Sequence, residues 1–144
     1  MKIHHIGYFV KNIEKSKKKY EELGFRVSPK AGNQDIQYDY ERNIKILFMD
    51  NGTDDLLIEL IELLDSTKPS PVDFIIKGGA GGYSDSIPYH ICYEVDDIDE
   101  SIAELRKKHF ILINEKAPTT EVLYHKNVCF LYNKAAGMIE LIEK

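Results

Sequence analysis

The chain has 144 residues, of which 43% are hydrophobic and 30% charged, and its formal net charge at pH 7 is −5. This length suits one domain of ordinary size. A net negative charge disfavours contact with a phosphate backbone, so we do not expect nucleic acid as a partner. The longest apolar stretch, residues 56–64, contains Glu59 and Glu62. Because a membrane-spanning helix needs about 20 apolar residues, no membrane span is predicted.

The first residues and the two cysteines indicate the cellular compartment in which the protein is expected. Residues 1–6 include two histidines and lack the uninterrupted apolar core of a secretory signal. Cys92 and Cys129 are too few for a disulfide framework in a chain of this size, and they fit reduced core thiols. We therefore expect a cytoplasmic protein.

The sequence contains an internal repeat. An ungapped alignment of residues 5–25 with residues 90–110 has seven identical pairs, including His5 with His90. Unrelated segments of this length would share about one or two. The sequence of residues 58–62, Ile-Glu-Leu-Ile-Glu, recurs unchanged near the end of the chain. Each half thus has one His near its start and one Glu near its end.

The first half, residues 1–64, has the pattern strand, helix, three strands. Residues 3–10 alternate with period two, as a strand does. Asn12 is placed to cap a helix that runs to about Leu23, and Gly24 suits the left-handed residue after a helix. Further strands are predicted near residues 25–28, 36–50 and 56–64. The last two are joined by an Asn51-Gly52 turn signal.

Residues 65–86 form the natural linker between the halves. They contain Pro69, Pro71 and the sequence Gly78-Gly79-Ala80-Gly81-Gly82. Residues 71–77 are compatible with one or two helical turns. No Gly-Lys-Ser/Thr follows the glycines, which argues against a phosphate-binding loop. We expect a crossover that flanks a site.

The second half, residues 87–144, repeats the order of the first. A strand is predicted over residues 89–95, followed by a helix that ends near Lys108. Asp97 and Glu100 form a capping-box pattern at the start of this helix, and His109 occupies the position of Gly24. Further strands are predicted near residues 110–114, 122–132 and 138–142.

Strand parity predicts that the two His and two Glu face the same side of the sheet. In the first strand the large apolar residues at even positions should cover the helix, so that His5 faces the concave side. The same parity places His90 and Cys92 on the concave side and Ile91 under the second helix. Two half-sheets packed about a pseudo-twofold axis would bring both first strands and both last strands together, the final one with Glu140.

The glutamate of the first half is chosen by parity and by the repeat. Glu59 and Glu62 have opposite parity, so only one of them can face the cleft. The repeat aligns Glu59 with Glu140 and Glu62 with Glu143. Placing Glu62 in the cleft would bury Glu59 in mid-strand beneath a helix, which is costly. We therefore favour Glu59 and keep Glu62 as the alternative.

The four side chains have the chemistry of a metal site. Two neutral imidazoles and two carboxylates carry a charge of −2, which balances a divalent cation such as Zn, Ni, Co, Fe or Mn. A single strand His is more often a hydrogen-bonded core residue. A repeat-matched set of two His and two Glu on apolar strands favours a metal, because an unpaired buried carboxylate is costly. We predict His5, Glu59, His90 and Glu140 as the ligands.

Other side chains are weaker candidates. His4 has no matching His in the second half and points to the helix side or to solvent, so we do not expect it to be a ligand. Cys92 is expected to be a small buried thiol, and His125 either contacts substrate or is exposed. A charge run on an amphipathic helix is usually a solvated face. Candidates by residue type alone are Lys15, Lys17, Lys18 and Lys19 for an anionic substrate and Tyr38, Tyr40 and Tyr83 for a pocket wall.

Four motifs carry a family resemblance: His5-Ile6-Gly7-Tyr8, Tyr89-His90-Ile91, Val95-Asp96-Asp97-Ile98 and Gly137-Met138-Ile139-Glu140-Leu141. They resemble the vicinal oxygen chelate superfamily, which includes glyoxalases, bleomycin resistance proteins and dioxygenases. The likeness covers nearly the whole chain and is greatest to the methylmalonyl-CoA epimerase and glyoxalase I branches. It implies metal ligands at His5, Glu59, His90 and Glu140. It also implies an α+β fold in which two βαβββ modules form an open, eight-stranded cupped barrel, often in a homodimer.

The resemblance implies an isomerase or lyase that acts through an enediolate on an acyl-CoA or a hemithioacetal. Glu140 would carry the proton. An epimerase-like enzyme is the first hypothesis and a glyoxalase I-like lyase the second. Some epimerases supply another Glu from the strand before the hairpin, whereas Ile44-Lys45-Ile46-Leu47 has none. Glu62 or a water could substitute, and Lys45 has the wrong charge unless its pKa is lowered.

Two further members of the superfamily are less consistent with the sequence. A non-catalytic, small-molecule-binding resistance protein often lacks the metal ligands, all four of which are retained here. A ring-cleaving dioxygenase typically uses two His and one carboxylate with Fe(II), so a fourth ligand argues against it.

Overall fold

The computed structural model describes residues 1–53, 55–73 and 85–144. It contains helices α1 (Ile13–Glu22) and α2 (Ile98–Lys107) and a short 3-10 helix at Glu121–Leu123. None of the helices in these described segments is long and apolar enough to cross a membrane. The strands are β1 (Lys2–Val10), β2 (Arg26–Val27), β3 (Gln37–Asp39), β4 (Ile44–Asp50), β5 (Ile58–Leu63), β6 (Ser86–Val95), β7 (Ile111–Leu112), β8 (Ala117–Pro118), β9 (Asn127–Asn133) and β10 (Gly137–Glu143).

The strands form one mixed sheet in the order β2-β4-β5-β1-β6-β10-β9-β7, with β3 added to β4 and β8 added to β9. The central strands β1 and β6 are antiparallel, β5 is parallel to β1, and β10 is parallel to β6. Counted outward from the central pair, the strands of the two halves therefore follow the same order, β1-β5-β4-β2 on one side and β6-β10-β9-β7 on the other. Within the described segments the edge strands β2 and β7 do not pair with each other, so the sheet is open.

The fold class predicted from the sequence, α+β with two related modules, is confirmed, but ten strands replace the expected eight. The expected strand at residues 36–50 is broken by Asn43, which has a φ of 58° and separates β3 from β4. The side chain of Asn43 also binds the backbone of Asp65 through both of its polar atoms, at 2.7 and 2.9 Å. The two-residue turn expected at Asn51-Gly52 is wrong, because β5 begins only at Ile58.

The expected strand at residues 122–132 is correct only from Asn127 onward. Residues Glu121–Leu123 form the 3-10 helix, and Tyr124 and His125 follow with φ values of 56° and 58°. Val122 favours a strand and the apolar Leu123 is compatible with one, but both are buried in the core on the concave side of the sheet. Tertiary packing thus overrides local propensity in this segment. Of the helical turns predicted at residues 71–77 only residues 71–73 are described, and the glycines at 78–82 lie outside the described residues.

Both helices begin as the sequence predicts. The side chain of Asn12 accepts a hydrogen bond from Lys15 N at 3.0 Å, and that of Asp97 accepts one from Glu100 N at 2.9 Å. Gly24 and His109 both adopt the left-handed conformation after their helices, with φ values of 90° and 66°. The repeat therefore extends to the way in which each helix starts and ends.

The buried apolar side chains of the described residues form three clusters, one on the concave face of the sheet and one beneath each helix. Val10 packs with Leu60 beneath α1, and Val95 packs with Leu141 beneath α2. Phe9 and Cys92 belong instead to the cluster on the concave face, as strand parity predicts. Ile91 is an exception, because it is 37% exposed and belongs to neither helix cluster.

The exposure of Ile91 follows from the position of the helices. Ile91 pairs with Ile6 on the two central strands. Helix α1 packs on β5, whereas α2 packs on β10 and β7, so the central pair lies between the helices. The expectation that Ile91 is covered by α2 is therefore wrong.

We predict that Asn12→Ala lowers the free energy of unfolding by about 1 kcal/mol, because the N–H of Lys15 loses its acceptor. Urea unfolding followed by circular dichroism measures this change. Lys18→Ala on the exposed face of the same helix is the control and should change stability by less than about 0.5 kcal/mol. Equal stability of the two variants would contradict the capping role.

Candidate metal centre

Four neighbouring strands each contribute one polar side chain to the concave face. His5 comes from β1, Glu59 from β5, His90 from β6 and Glu140 from β10. The strand register explains their meeting. Gly7 is the Cα partner of both Glu59 and His90, and Cys92 is the Cα partner of both His5 and Glu140. Gly7 and Cys92 occupy equivalent positions in the repeat, two residues after each His.

The donor atoms of these four side chains lie close together. Oε2 of Glu59 is 3.2 Å from Nε2 of His5 and 3.1 Å from Nε2 of His90. Oε2 of Glu140 is 3.1 Å from each of the same nitrogens, which are themselves 3.0 Å apart. All four residues are buried, with exposed fractions between 0% and 5%. The structure thus brings together every side chain that the sequence analysis named as a ligand.

The spacing and the bonding of these atoms fit a small divalent ion. At a metal–ligand distance of about 2.1 Å, neighbouring ligands are about 3.0 Å apart in an octahedron and about 3.4 Å apart in a tetrahedron. The five observed separations, 3.0 to 3.2 Å, agree with this range. Apart from the contacts with Nε2 of His5 and His90, Oε2 of Glu59 and Oε2 of Glu140 have no hydrogen-bond partner among the described residues. Buried oxygens without such a partner are expected where an ion binds.

A pocket lies over this cluster and includes Glu59 and Glu140 in its wall. Pro71 and Val72 also line it, so the predicted linker flanks the site as expected. Arg42 is the only cationic side chain among the described residues that line the pocket. The remaining lining residues are Asp39, Ile44, Ile46, Tyr89, Thr119, Thr120, Val122, Leu123, Val128, Phe130.

Comparison with known proteins identifies the family. The sequence profile of the Glyoxalase/Bleomycin resistance protein/Dioxygenase superfamily matches residues 4–130. The chain belongs to this superfamily. Among curated proteins it is similar to the mitochondrial methylmalonyl-CoA epimerase of Mus musculus, with 28% identity over 97% of this chain and 71% of that protein.

Solved structures of methylmalonyl-CoA epimerases have the same fold. The methylmalonyl-CoA epimerase of Mycobacterium tuberculosis superimposes with a TM-score of 0.74, at 19% identity over 98% of this chain and 86% of that one. A methylmalonyl-CoA epimerase in complex with methylmalonyl-CoA and NH4+ superimposes with a TM-score of 0.72, at 19% identity over 99% of this chain and 93% of that one.

The charges of the cluster in this glyoxalase-superfamily chain favour a cation. Burial alone would lower the pKa of His90, but the carboxylates of Glu140 and Glu59 outweigh burial and raise this pKa to about 9. The pKa of His5 is raised for the same reason. Burial alone would raise the pKa values of Glu59 and Glu140, but the two imidazoles lower them. The metal-free cluster therefore holds protons where a divalent ion would supply positive charge.

A β-bulge precedes each of the two cluster histidines. The register between β1 and β6 shifts at His4 and again at Tyr89, which are equivalent positions in the repeat. Because of its bulge, His4 is half-buried, with Nδ1 2.8 Å from Nδ1 of His5. Burial first, and then the charge of His5, lower the pKa of His4 to about 4. The expectation that His4 faces the helix side or solvent is wrong.

The ring of His90 is held by close packing. It lies edge to face against Tyr89 and Phe130, with ring centroids 4.7 and 5.2 Å away. A Cβ atom on Gly7 would lie 2.3 Å from Cε1 of His90. Glycine is therefore required in β1 at the point where the His90 ring crosses the strand. Cys92 at the equivalent position in β6 is a buried thiol, as predicted, and burial raises its pKa.

Glu62 and Lys45 lie on the opposite face of the sheet from the cluster. Glu62 accepts a hydrogen bond from Ile13 N at 2.8 Å and binds Lys45 Nζ at 3.3 Å. Glu62 thus stabilises the start of α1, and Glu59 is the cluster residue. Neither Glu62 nor Lys45 lines the pocket, so the suggestion that either replaces the missing epimerase Glu is not supported.

Sequence reasoning did not identify Asp39 and Arg42 as pocket residues. Arg42 binds Oδ2 of Asp39 at 3.1 Å and the carbonyl of Pro118 at 2.7 Å, and so connects the two halves of the chain. A charged pair three residues apart carries no specific sequence signal. Tyr38 and Tyr40 stack on each other and are exposed, and Tyr83 lies outside the described residues. His125 is exposed, and its Nδ1 is 3.2 Å from the carbonyl of Thr119.

We predict that Gly7→Ala lowers the free energy of unfolding by about 1 to 3 kcal/mol, because the new methyl group overlaps the His90 ring. In a His90→Ala background the same substitution should cost much less, since the ring is absent. Chemical unfolding of the wild type, the two single variants and the double variant measures the coupling between Gly7 and His90. Equal costs in both backgrounds would show that Gly7 serves another purpose.

The raised pKa of His90 predicts a pH-dependent stability of the metal-free protein. A folded-state pKa of about 9, against an ordinary 6.5, stabilises the fold fully below pH 6.5. This stabilisation is lost as the pH rises through about 9. Urea unfolding with a chelator, from about pH 6 to about pH 10, should show a larger loss in the wild type than in His90→Gln, in which only the raised pKa of His5 remains. Parallel pH profiles for the two proteins would contradict the charge assignment.

Proposed function

We propose that the protein is a metal-dependent isomerase that epimerises an acyl-CoA carrying an acidic α-hydrogen, in the manner of methylmalonyl-CoA epimerase. The observation that carries the proposal is the convergence of two imidazoles and two carboxylates beside an apolar pocket. The similarity to epimerases over nearly the whole chain supports this choice of reaction. The predicted cytoplasmic location and homodimer remain part of the proposal.

His5, Glu59, His90 and Glu140 are the proposed ligands of one divalent ion, Zn, Ni, Co or Mn. When bound, such an ion supplies Lewis-acid stabilisation of negative charge on a carbonyl oxygen. The −2 charge of two carboxylates with neutral imidazoles matches a dication. The four residues are buried beside an apolar wall, and interactions with charge that develops on the substrate are stronger in such surroundings than in water.

Glu140 is the proposed acid–base residue, because its carboxylate lies in the pocket wall where an α-carbon would be exposed to it. Epimerisation also requires a proton carrier on the other face of that carbon. Glu59 lines the same pocket and comes from the opposite half of the repeat. We assign it this second role. The two carboxylates would then act on opposite faces of one carbon.

Arg42 is the proposed contact for an anionic group of the substrate. Asp39 and Pro118 hold its guanidinium, so that little entropy is lost when another acceptor binds.

Ile44 and Ile46 present the apolar wall from β4, where some epimerases supply a Glu. That difference favours a glyoxalase-type lyase as the second candidate, since isomerisation of a hemithioacetal uses the same enediolate chemistry.

We predict that the purified protein contains about one divalent ion per chain and that His90→Ala removes most of it. Elemental analysis after dialysis measures this directly. His125→Ala, which alters an exposed His away from the cluster, should keep the metal of the wild type. Negligible metal in all three proteins would reject a metal-dependent reaction.

We predict that Glu140→Gln and Glu59→Gln each slow epimerisation by at least about 100-fold, because each removes one proton carrier. Proton exchange in deuterated water should then separate their roles. Each variant should still exchange the α-hydrogen of one epimer of methylmalonyl-CoA, and the two variants should retain opposite epimers. Glu143→Gln, on the same strand but bound to Asn127, is the matched control and should keep full activity.

Two results would contradict this assignment. Loss of exchange from the same epimer in both variants would remove the second role from Glu59. Exchange with the methylglyoxal hemithioacetal but with neither epimer of methylmalonyl-CoA would replace the epimerase with the glyoxalase-type lyase.

A further inference from the structure

The bulged residue His4 contacts the side of the His5 ring that faces away from the cluster. Nδ1 of His4 is 2.8 Å from Nδ1 of His5, and the rings meet edge to face at a centroid distance of 5.1 Å. The bulge makes this contact possible, because regular alternation would place consecutive side chains on opposite faces.

If His5 binds a cation, only its own Nδ1 can be the donor in the hydrogen bond with Nδ1 of His4. Nε2 of His5 lies in the cluster, 3.0 to 3.2 Å from the other three donor atoms. A lone pair on Nε2 requires the proton of the neutral ring to be on Nδ1. His5 Nδ1–H therefore donates to Nδ1 of His4, which carries its own proton on Nε2.

We propose that His4 is a positioning residue that fixes the tautomer and the ring orientation of His5 for metal binding. This inference rests on the proposed metal-dependent function. Residues that bind the outer nitrogen of a ligating His typically change metal affinity by about 10- to 100-fold. In this chain the acceptor is itself an imidazole, supplied by the preceding residue of the same strand.

The second half of the chain shows that this contact is not an unavoidable result of the bulge. Tyr89 occupies the position equivalent to His4, and its hydroxyl donates to the carbonyl of Pro71 at 3.2 Å. Nδ1 of His90 has no hydrogen-bond partner among the described residues. On the side of Nδ1, the described residues thus hold the His90 ring by packing, whereas His4 holds the His5 ring by a hydrogen bond. A β-bulge thus precedes both histidines, but the bulged residues differ, since His4 hydrogen-bonds to the next histidine and Tyr89 to Pro71.

Replacement of His4 by Phe and by Asn separates hydrogen bonding from packing. Phe keeps a ring but has no acceptor, whereas the side-chain oxygen of Asn lies about where Nδ1 of His lies. Competition with a chromophoric chelator measures the affinity for Co²⁺ and Zn²⁺. We expect His4→Phe to bind about 10- to 100-fold more weakly and His4→Asn to remain within about threefold of the wild type. His125→Phe is the matched control and should bind as the wild type does.

NMR of the zinc-loaded, 15N-labelled protein provides a second measurement. The Nδ1–H proton of His5 should be visible and protected from exchange with water in the wild type and in His4→Asn. It should exchange much faster in His4→Phe. These signals report the hydrogen bond directly and do not depend on turnover.

Unchanged metal affinity and unchanged protection in His4→Phe would overturn the role of His4 while leaving the metal-dependent function in place. An equal loss of affinity in the Phe and Asn variants would also overturn it, since packing would then explain the effect. A wild-type protein that binds neither ion would overturn both this inference and the proposed function.

Discussion

The structure depends on the burial of two carboxylates against the same pair of imidazoles. Glu59 and Glu140 are 5% and 4% exposed, and each approaches both His nitrogens to within 3.2 Å. Such a group of charges is costly in a protein interior unless positive charge balances it. The raised pKa values of His5 and His90 favour two protons that balance this charge in the metal-free protein, and a divalent ion would replace them. The apolar clusters on both sides of the sheet keep the four side chains in place.

The internal repeat explains how one carboxylate and one imidazole from each half reach a common point. Because β1 and β6 are paired at the centre of the sheet, equivalent residues of the two halves lie on either side of a local symmetry axis. The halves have diverged beside the cluster. Gly7 makes room for the ring of His90, whereas Cys92 fills the equivalent position. His4 and Tyr89 differ in the same way. The donor set has thus been kept symmetric while its surroundings have not.

Much of the cluster was predictable, because a strand alternates faces and the repeat places matched residues on matched faces. The choice of Glu59 followed from parity, and the helix starts followed from Asn12 and Asp97. The position of His4 was not predictable, since a bulge leaves no mark in the residue pattern. The wall formed by Val122 and Leu123 was missed because burial, which the local pattern does not show, overrides the strand predicted over residues 122–132. Asp39 and Arg42 were missed because their place in the pocket depends on contacts distant in sequence.

The central claim is that the four buried donors bind one cation. Anomalous scattering from crystals grown with Co²⁺ tests it most directly, because the signal locates the ion independently of the protein. The account predicts a single strong peak about 2.0 to 2.2 Å from Nε2 of His5 and of His90 and from a carboxylate oxygen of Glu59 and of Glu140. A cluster without a peak in Co²⁺-soaked crystals, or a peak bound only by other residues, would contradict it.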